Sequence, residues 1–252
     1  HDPGALGFET WLTVTNFFDM DPLMSRQGEF EEFKGDSSEV TVAEAVKFMR
    51  DTNGEKPFFI VIWFGTPHSP MIASEADRAP FSDLPLSAQH HLGELVAMDR
   101  SIGALRDGLR EMGAASNTLV WFNSDNGGLT GEGYEAMGGL RGAKNTMYEG
   151  GLRVPGIIEW PAGIKPRVTD FPAGTVDIFP TLLDIIGEDP SEHMIQPIDG
   201  QSLKPLFAKD LTKRDRPLFF RHSDRGVVID GDDKFLTQKG KFELYDLGED
   251  QA

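Results

Sequence analysis

The chain contains no cysteine among its 252 residues. This absence excludes disulfide bonds, thiolate metal sites and a cysteine nucleophile from the chain itself. Basic residues are scarce too, with 24 Lys and Arg against 41 Asp and Glu, which gives a formal net charge of −17. So acidic a surface repels the phosphates of nucleic acids and of anionic membranes, which argues against both as partners.

Long apolar runs are also missing. The longest, residues 58–64 (FFIVIWF), is far shorter than the roughly 18 residues that suggest a membrane span. We therefore predict no membrane-spanning segment and interpret this run as a strand buried on both faces, as in a parallel sheet. No signal peptide pattern is visible. Because the chain begins at His1 rather than Met, we interpret it as part of a longer protein.

Strand-like and helix-like segments alternate along most of the chain. Residues 41–51 and 92–112 carry apolar side chains at helical spacing, and residues 118–123 and 154–160 have the composition of strands. Asp177 is a candidate cap for a further helix. This alternation predicts an α/β domain whose central sheet is mostly parallel and flanked by helices.

The last part of the chain changes character. Short apolar segments separated by turns follow one another at 218–220, 227–229, 235–236 and 244–245. They predict a small antiparallel subdomain. We therefore divide the chain into an α/β portion at residues 1–208 and a C-terminal antiparallel subdomain at residues 209–252.

A glycine-rich segment at residues 138–155 (GGLRGAKNTMYEGGLRVP) stands out in this acidic chain. Its five glycines surround Lys144, Arg141 and Arg153. Glycine lets a backbone approach a ligand closely, and lysine supplies a compact positive charge, so the segment is a candidate anion-binding loop. Two alternatives stay open: Lys144 is a surface lysine, or the arginines form structural ion pairs, with Glu149 as one partner.

Asp125, Asn126 and Gly127 directly follow an apolar strand. In open α/β sheets, ligands bind beyond the carboxyl ends of strands. A carboxylate beside an amide oxygen suits Ca²⁺ or Mg²⁺. The alternative is an ordinary turn, because Asn-Gly and Asp-Gly are strong turn formers.

Among the histidines, His68 is the strongest candidate, because Pro67 and Pro70 restrict the backbone around it. It suits a proton donor or an anion contact, and the alternative is an ordinary loop histidine. We expect His90 and His91 to be solvated on a helix.

Six segments, taken in order, resemble the sulfatase family of the alkaline-phosphatase-like superfamily. They lie at residues 57–70, 118–128, 138–161, 174–187, 198–207 and 243–247. The resemblance implies that Asp125 and Asn126 bind a divalent metal, usually Ca²⁺ and sometimes Mg²⁺. It implies that Lys144 binds a sulfate oxygen, and that His68 contacts the sulfate ester and protonates the leaving oxygen. His222, in the C-terminal tail, is a further candidate substrate contact.

The family's nucleophile is a formylglycine, made from Cys or Ser in a Cys/Ser-x-Pro-x-Arg motif. This chain has no such motif, and it lacks the acidic metal-ligand pair and the Lys-x-His segment expected further upstream. We therefore expect a C-terminal portion of a sulfatase that is inactive alone. We also expect its stability to depend on the missing portion or on another chain.

The resemblance implies a sulfated small molecule or carbohydrate as substrate and a periplasmic or secreted location. Two other functions stay open from the sequence. One is a phosphomonoester or phosphonate hydrolase of the same superfamily, for which the unseen nucleophile is the discriminator. The other is a non-catalytic binding protein on the same scaffold.

Overall fold

The computed structural model describes residues 2–14, 20–52, 54, 56–131 and 133–250. The chain divides into two units. Unit one comprises residues 1–116 and 131–134, and unit two comprises residues 117–130 and 135–252.

Among its described residues, unit one combines a small sheet with three α-helices. The antiparallel strands, in the order β1-β2-β3, are β1 (Leu12–Val14), β2 (Leu23–Arg26) and β3 (Glu29–Glu32). The helices are α1 (Ser37–Asp51), α2 (Glu75–Arg78) and α3 (Leu86–Glu111). None of the helices in the described ranges combines the length and apolar character that a bilayer crossing requires.

Helix α1 begins four residues earlier than its apolar spacing predicts. The carboxylate of Asp36 caps it by accepting from the backbone amides of Ser38 at 2.8 Å and Glu39 at 3.4 Å. The helix then packs against α3, where a Cβ on Gly108 would lie 2.9 Å from Val46 Cγ1. This close approach explains why α3 has no side chain at residue 108.

The strand predicted at residues 58–64 is wrong for the described structure, because no described strand forms backbone hydrogen bonds with it. Alternate side chains along the run are exposed, with Phe59 at 63%, Val61 at 42% and Trp63 at 86%. A strand in a sheet needs at least one neighbour with which it forms backbone hydrogen bonds. Without neighbours among the described residues, the run keeps an exposed apolar side.

Unit two contains the remaining strands and helices. The strands are β4 (Val120–Asn123), β5 (Gly156–Glu159), β6 (Leu218–His222), β7 (Arg225–Asp230), β8 (Asp233–Gln238) and β9 (Lys241–Asp246). The helices are α4 (Glu149–Leu152), α5 (Ile178–Ile186), α6 (Pro190–His193) and α7 (Lys204–Ala208). The α/β class is therefore confirmed in the sense of mixed helix and sheet.

The mostly parallel pairing predicted for the central sheet is not found among the described strands, whose pairs are all antiparallel. Strand β4 pairs with β5 from Val120 opposite Glu159 to Asn123 opposite Gly156. Pro155 lies just before β5, where its missing amide hydrogen costs the ladder nothing. The order of the C-terminal sheet is β6-β7-β8-β9, as the short apolar segments predict.

One face of the C-terminal sheet forms a hydrophobic core. Leu218, Val227, Ile229 and Leu236 are buried there, and Met147 of the glycine-rich segment packs among them. Met147 is 5% exposed. The sheet therefore uses a side chain of the candidate anion-binding loop as part of its own core.

Asp177 has a larger role than the cap predicted for it. Its buried carboxylate accepts from the backbone amides of Gly174 at 2.9 Å and Gln201 at 2.8 Å, and it forms a buried ion pair with Arg214. The side chain makes no capping bond to α5, which ends at Gly187 with φ of 87°. Asp177 therefore joins the start of α5 to two later segments.

Candidate functional site

The corner after β4 holds the predicted metal ligands Asp125 and Asn126. The Asp125 side chain is exposed. The Asn126 side-chain oxygen Oδ1 is buried and has no hydrogen-bond partner among the described residues. A buried acceptor without a partner costs free energy, so it indicates a water or an ion. An amide oxygen beside a carboxylate is a donor set that a hard divalent cation prefers.

This pair is not a complete metal site. Within the described ranges, no group of three or more His, Cys, Asp or Glu side chains is arranged to hold a metal ion. Calcium takes six to eight oxygen ligands, and many magnesium sites keep several waters. The remaining ligands would therefore come from water, from amide or carbonyl oxygens, or from groups outside the described residues.

Glycines bring the corner against the glycine-rich loop. The backbone amide of Gly127 donates to the carbonyl of Gly151 at 3.0 Å. A Cβ on Gly127 would lie 1.8 Å from the carbonyl oxygen of Gly150, and one on Gly150 would lie 2.4 Å from that of Gly142. Real Cβ atoms do not approach so closely, so glycine is required at both positions.

A second backbone hydrogen bond brings the backbone of Lys144 beside the metal-ligand corner. The backbone amide of Lys144 donates to the carbonyl of Gly128 at 2.9 Å. A local turn supports it, because Thr146 Oγ1 donates to the carbonyl of Ala143 at 2.7 Å. Among the described side chains, the Lys144 ammonium has no ion-pair partner. An unpaired cation tied to the residues after Asn126 is what an anion-binding site requires.

Arg141 and Glu149 contact the C-terminal sheet. Arg141 lies over the ring of Tyr148, with 4.0 Å from its guanidinium carbon to the ring centroid, and donates to Tyr245 Oη at 2.9 Å. Glu149 pairs with Lys234 of the C-terminal sheet at 2.6 Å. Both contacts join the loop to the C-terminal sheet.

His68 lies in unit one, whereas Asp125, Asn126 and Lys144 lie in unit two. Its side chain is exposed, and Nδ1 lies 2.8 Å from the carbonyl oxygen of Ser69. A carbonyl only accepts, so Nδ1 carries the proton in this contact. The second nitrogen, Nε2, is then the atom that can take up or release a proton.

The segment after His68 is held by two side chains of α3. The backbone amide of Ile72 donates to Glu94 Oε1 at 2.6 Å, and that of Ala73 donates to His90 Nδ1 at 3.0 Å. The prediction that His90 and His91 are solvated is wrong, because His90 makes this bond and His91 is 5% exposed. The signal for this arrangement in the sequence is the four-residue spacing of His90 and Glu94, which puts both on one face of a helix.

Glu94 is the most strongly perturbed carboxyl group near this segment. Burial raises the pKa of Glu94 to about 7. The hydrogen bond from the Ile72 amide acts in the opposite direction and lowers this pKa, whereas the negative charge of Asp36 raises it further. Its second oxygen, Oε2, is buried without a partner among the described residues. Burial also lowers the pKa of His90, with a contribution from the positive charge of Arg78.

His222 ends β6 and is exposed. An open pocket of about 490 Å³ lies nearby, lined by side chains that include Phe219, Arg221 and Arg225 but not His222. The lining of this pocket does not include Asp125 or Asn126 of the metal-ligand corner. The guanidinium of Arg225, however, donates to the carbonyl of Asn145, the residue after Lys144.

Comparison with known proteins gives a consistent family. The sulfatase family model matches residues 2–188. Human steryl-sulfatase (Homo sapiens) is 33% identical over 190 residues, which are 71% of this chain and 31% of that protein. N-acetylgalactosamine-6-sulfatase of Canis lupus familiaris is 31% identical over 235 residues, which are 90% of this chain and 42% of that protein.

Among solved structures, Ps i-CgsB in complex with k-i-k-neocarrahexaose matches with a TM-score of 0.89 and 25% identity, over 99% of this chain and 62% of that one. These matches confirm the resemblance and the alkaline-phosphatase-like fold expected from the sequence. The chain spans less than half the length of the two curated relatives.

Proposed function

The chain belongs to the sulfatase family, and from that premise we propose that the complete gene product hydrolyses a sulfate monoester. This chain supplies the side chains that bind the metal and the sulfate group. One observation carries the proposal: the hydrogen bond from Lys144 N to Gly128 O ties Lys144 to the residues that follow Asn126. Within the described ranges, neither the Lys144 ammonium nor Asn126 Oδ1 has a partner. A cation and a metal-binding oxygen thus lie on neighbouring segments, as an oxyanion site requires.

Asp125 and Asn126 would hold Ca²⁺, with Mg²⁺ as the alternative, through a carboxylate and an amide oxygen. Such an ion supplies positive charge that stabilises a negatively charged sulfate and its transition state. The orphaned Oδ1 of Asn126 supports this assignment, because a cation would satisfy it.

Lys144 binds a nonbridging sulfate oxygen through its ammonium group. The backbone bond to Gly128 fixes the start of a long side chain, which lowers the entropy lost when the ammonium meets the anion. Because no carboxylate among the described residues neutralises it, the charge is available to the ligand.

His68 contacts the ester and moves the proton. With Nδ1 donating to Ser69 O, Nε2 of the protonated ring gives its proton to the leaving oxygen as the ester bond breaks, which leaves the neutral ring with its proton on Nδ1. The role of His68 rests on the family resemblance and on this tautomer.

The nucleophile lies outside this chain, which has no Cys/Ser-x-Pro-x-Arg motif. The family resemblance implies a formylglycine there. We therefore expect no turnover from the isolated chain.

For the substrate we propose a sulfated carbohydrate, in a periplasmic or secreted setting. The support for a carbohydrate substrate is the sugar named in two of the similar proteins, an N-acetylgalactosamine-6-sulfatase and a structure with bound neocarrahexaose. The similarity to steryl-sulfatase makes a steroid sulfate the competing substrate.

The test is a comparison of sulfate release by the complete gene product and its Asp125→Asn variant. The substitution removes a ligand charge, so we expect lower metal content, measured by elemental analysis, together with lower activity. Asp107→Asn is the matched control, because Asp107 is an exposed carboxylate on α3.

Normal metal content in Asp125→Asn would refute the metal assignment. Phosphate-ester turnover without sulfate-ester turnover by the unsubstituted protein would instead support the phosphohydrolase alternative. A panel with an aryl sulfate, a steroid sulfate and a 6-O-sulfated amino sugar separates the substrate classes.

A further inference from the structure

Lys234 and Glu149 form an ion pair inside unit two. Lys234 Nζ lies 2.6 Å from Glu149 Oε1, and the two residues are 2% and 9% exposed. The free energy needed to remove both charges from water is about as large as the free energy that their attraction supplies, so such a pair contributes little to stability. Its effect therefore depends on which backbone segments it holds in place.

Glu149 is the first residue of α4, and the next two residues form the contact with the metal-ligand corner. Gly151 O accepts from Gly127 N at 3.0 Å, and Gly150 O leaves no space for a side chain on Gly127. A shift of α4 would therefore move the residue that follows Asn126.

The sheet also holds the loop on the Lys144 side. Arg225 of β7 donates to the carbonyl of Asn145, and Met147 is buried in the sheet core. The loop is thus fixed to the sheet by contacts at Asn145, Met147 and Glu149, all within five residues after Lys144. Of these three contacts, the one at Glu149 is an ion pair between two buried side chains.

The geometry points to Lys234 as a positioning residue for the sulfatase reaction, acting through Glu149 to keep Lys144 and Asn126 directed at one ligand. The inference rests on the proposed function of Lys144 and Asn126. In this role, Lys234 touches neither substrate nor metal. The C-terminal sheet thereby becomes part of the support of the anion site.

The test is the double variant Lys234→Met/Glu149→Met in the complete gene product. It removes both buried charges at similar side-chain volume, so the protein is expected to fold. We expect Ca²⁺ affinity, measured by calorimetry, and kcat for an aryl sulfate each to fall at least about tenfold, as when groups that support metal ligands are removed. The KM is expected to change less than kcat.

A purely structural role predicts a different result: a changed Tm with normal Ca²⁺ affinity and kcat, which would overturn the inference. Should the double variant fail to fold, Lys234→Arg replaces it in the same measurements, because it keeps the positive charge and changes the geometry of the pair. Wild-type Ca²⁺ affinity and kcat in Lys234→Arg would count against the inference.

Arg214→Lys is the matched control at the other buried pair, and we expect it to change Tm while Ca²⁺ affinity stays normal.

Amide hydrogen exchange separates this inference from the proposed function. The amides of Gly127 and Lys144, which donate across the contact, should exchange faster in the variants than in the unsubstituted protein. Absence of sulfate-ester turnover in the unsubstituted protein would refute the proposed function alone. Unchanged exchange at both amides would refute the positioning role, whatever the activity.

Discussion

Two buried ion pairs in unit two use the same chemistry for different purposes. Asp177 and Arg214 are 0% and 3% exposed, and the carboxylate also accepts from the backbone amides of Gly174 and Gln201. Glu149 and Lys234 are joined by a single contact, and the backbone beside Glu149 touches the metal-ligand corner. The difference teaches that the consequence of a buried pair depends on what its neighbours contact. We expect the first pair to govern stability and the second to govern the site.

The largest stability effect is expected at the first pair. Arg214→Met leaves the Asp177 carboxylate buried without its countercharge, which should lower the free energy of unfolding by about 3–5 kcal/mol. Urea unfolding measures this loss. Ca²⁺ affinity below the unfolding transition should stay within about twofold, because the site is not touched.

Lys204→Met is the control for that experiment. Its ion pair with Asp184, at 3.0 Å, is exposed by 46% and 38% at the two side chains. Such a pair contributes at most about 1 kcal/mol. A loss as large as that of Arg214→Met would contradict the distinction between buried and exposed pairs.

The next effect is on catalysis rather than stability. Lys144→Ala should lower kcat by about 10²-fold or more, or roughly 2.7 kcal/mol, if Lys144 stabilises developing charge as other preorganised groups do. Its Tm should stay normal, because the ammonium has no partner among the described residues. Lys165→Ala, at an exposed lysine, is the matched control. A near-normal rate in Lys144→Ala would identify it as a surface lysine.

Glu94 of unit one adds a buried carboxyl group that has no ion pair among the described residues. Its pKa is raised to about 7 from an ordinary 4.5, so folding favours the protonated form. Its contribution to stability is full below about pH 4.5 and is lost as pH rises through about 7, by up to about 3 kcal/mol.

Glu94→Gln removes that titration. The variant should therefore gain stability relative to the unsubstituted protein as pH rises from about 4.5 to about 7, with no further gain above it. Urea unfolding at pH 5 and pH 8 measures the difference. An equal difference at both pH values would show that Glu94 does not titrate in this range.

Much of the C-terminal sheet could be predicted, because its strands are local segments with alternating burial separated by turns. The glycine-rich loop could be recognised too, since close backbone contacts demand glycine at Gly127 and Gly150 wherever the partners lie. The strand expected at residues 58–64 could not be judged from its composition. An apolar run becomes a strand only when neighbours pair with it.

The support of the candidate site was hidden for a different reason. Lys234 lies 85 residues after Glu149, and nothing in the spacing pairs them. In the same way, the spacing of His90 and Glu94 defines a helix face but not the backbone amides of Ile72 and Ala73 that they hold. Long-range contacts require the fold, whereas the candidate residues themselves follow from the family resemblance.

The central claim is that Asn126, in the metal-ligand corner, and Lys144 act on one ligand. A double-mutant cycle on kcat/KM for an aryl sulfate, with Asn126→Ala, Lys144→Ala and both together, tests it most directly. Residues that share a ligand are expected to couple by about 1 kcal/mol or more. Additive losses, within about 0.5 kcal/mol, would contradict a shared site.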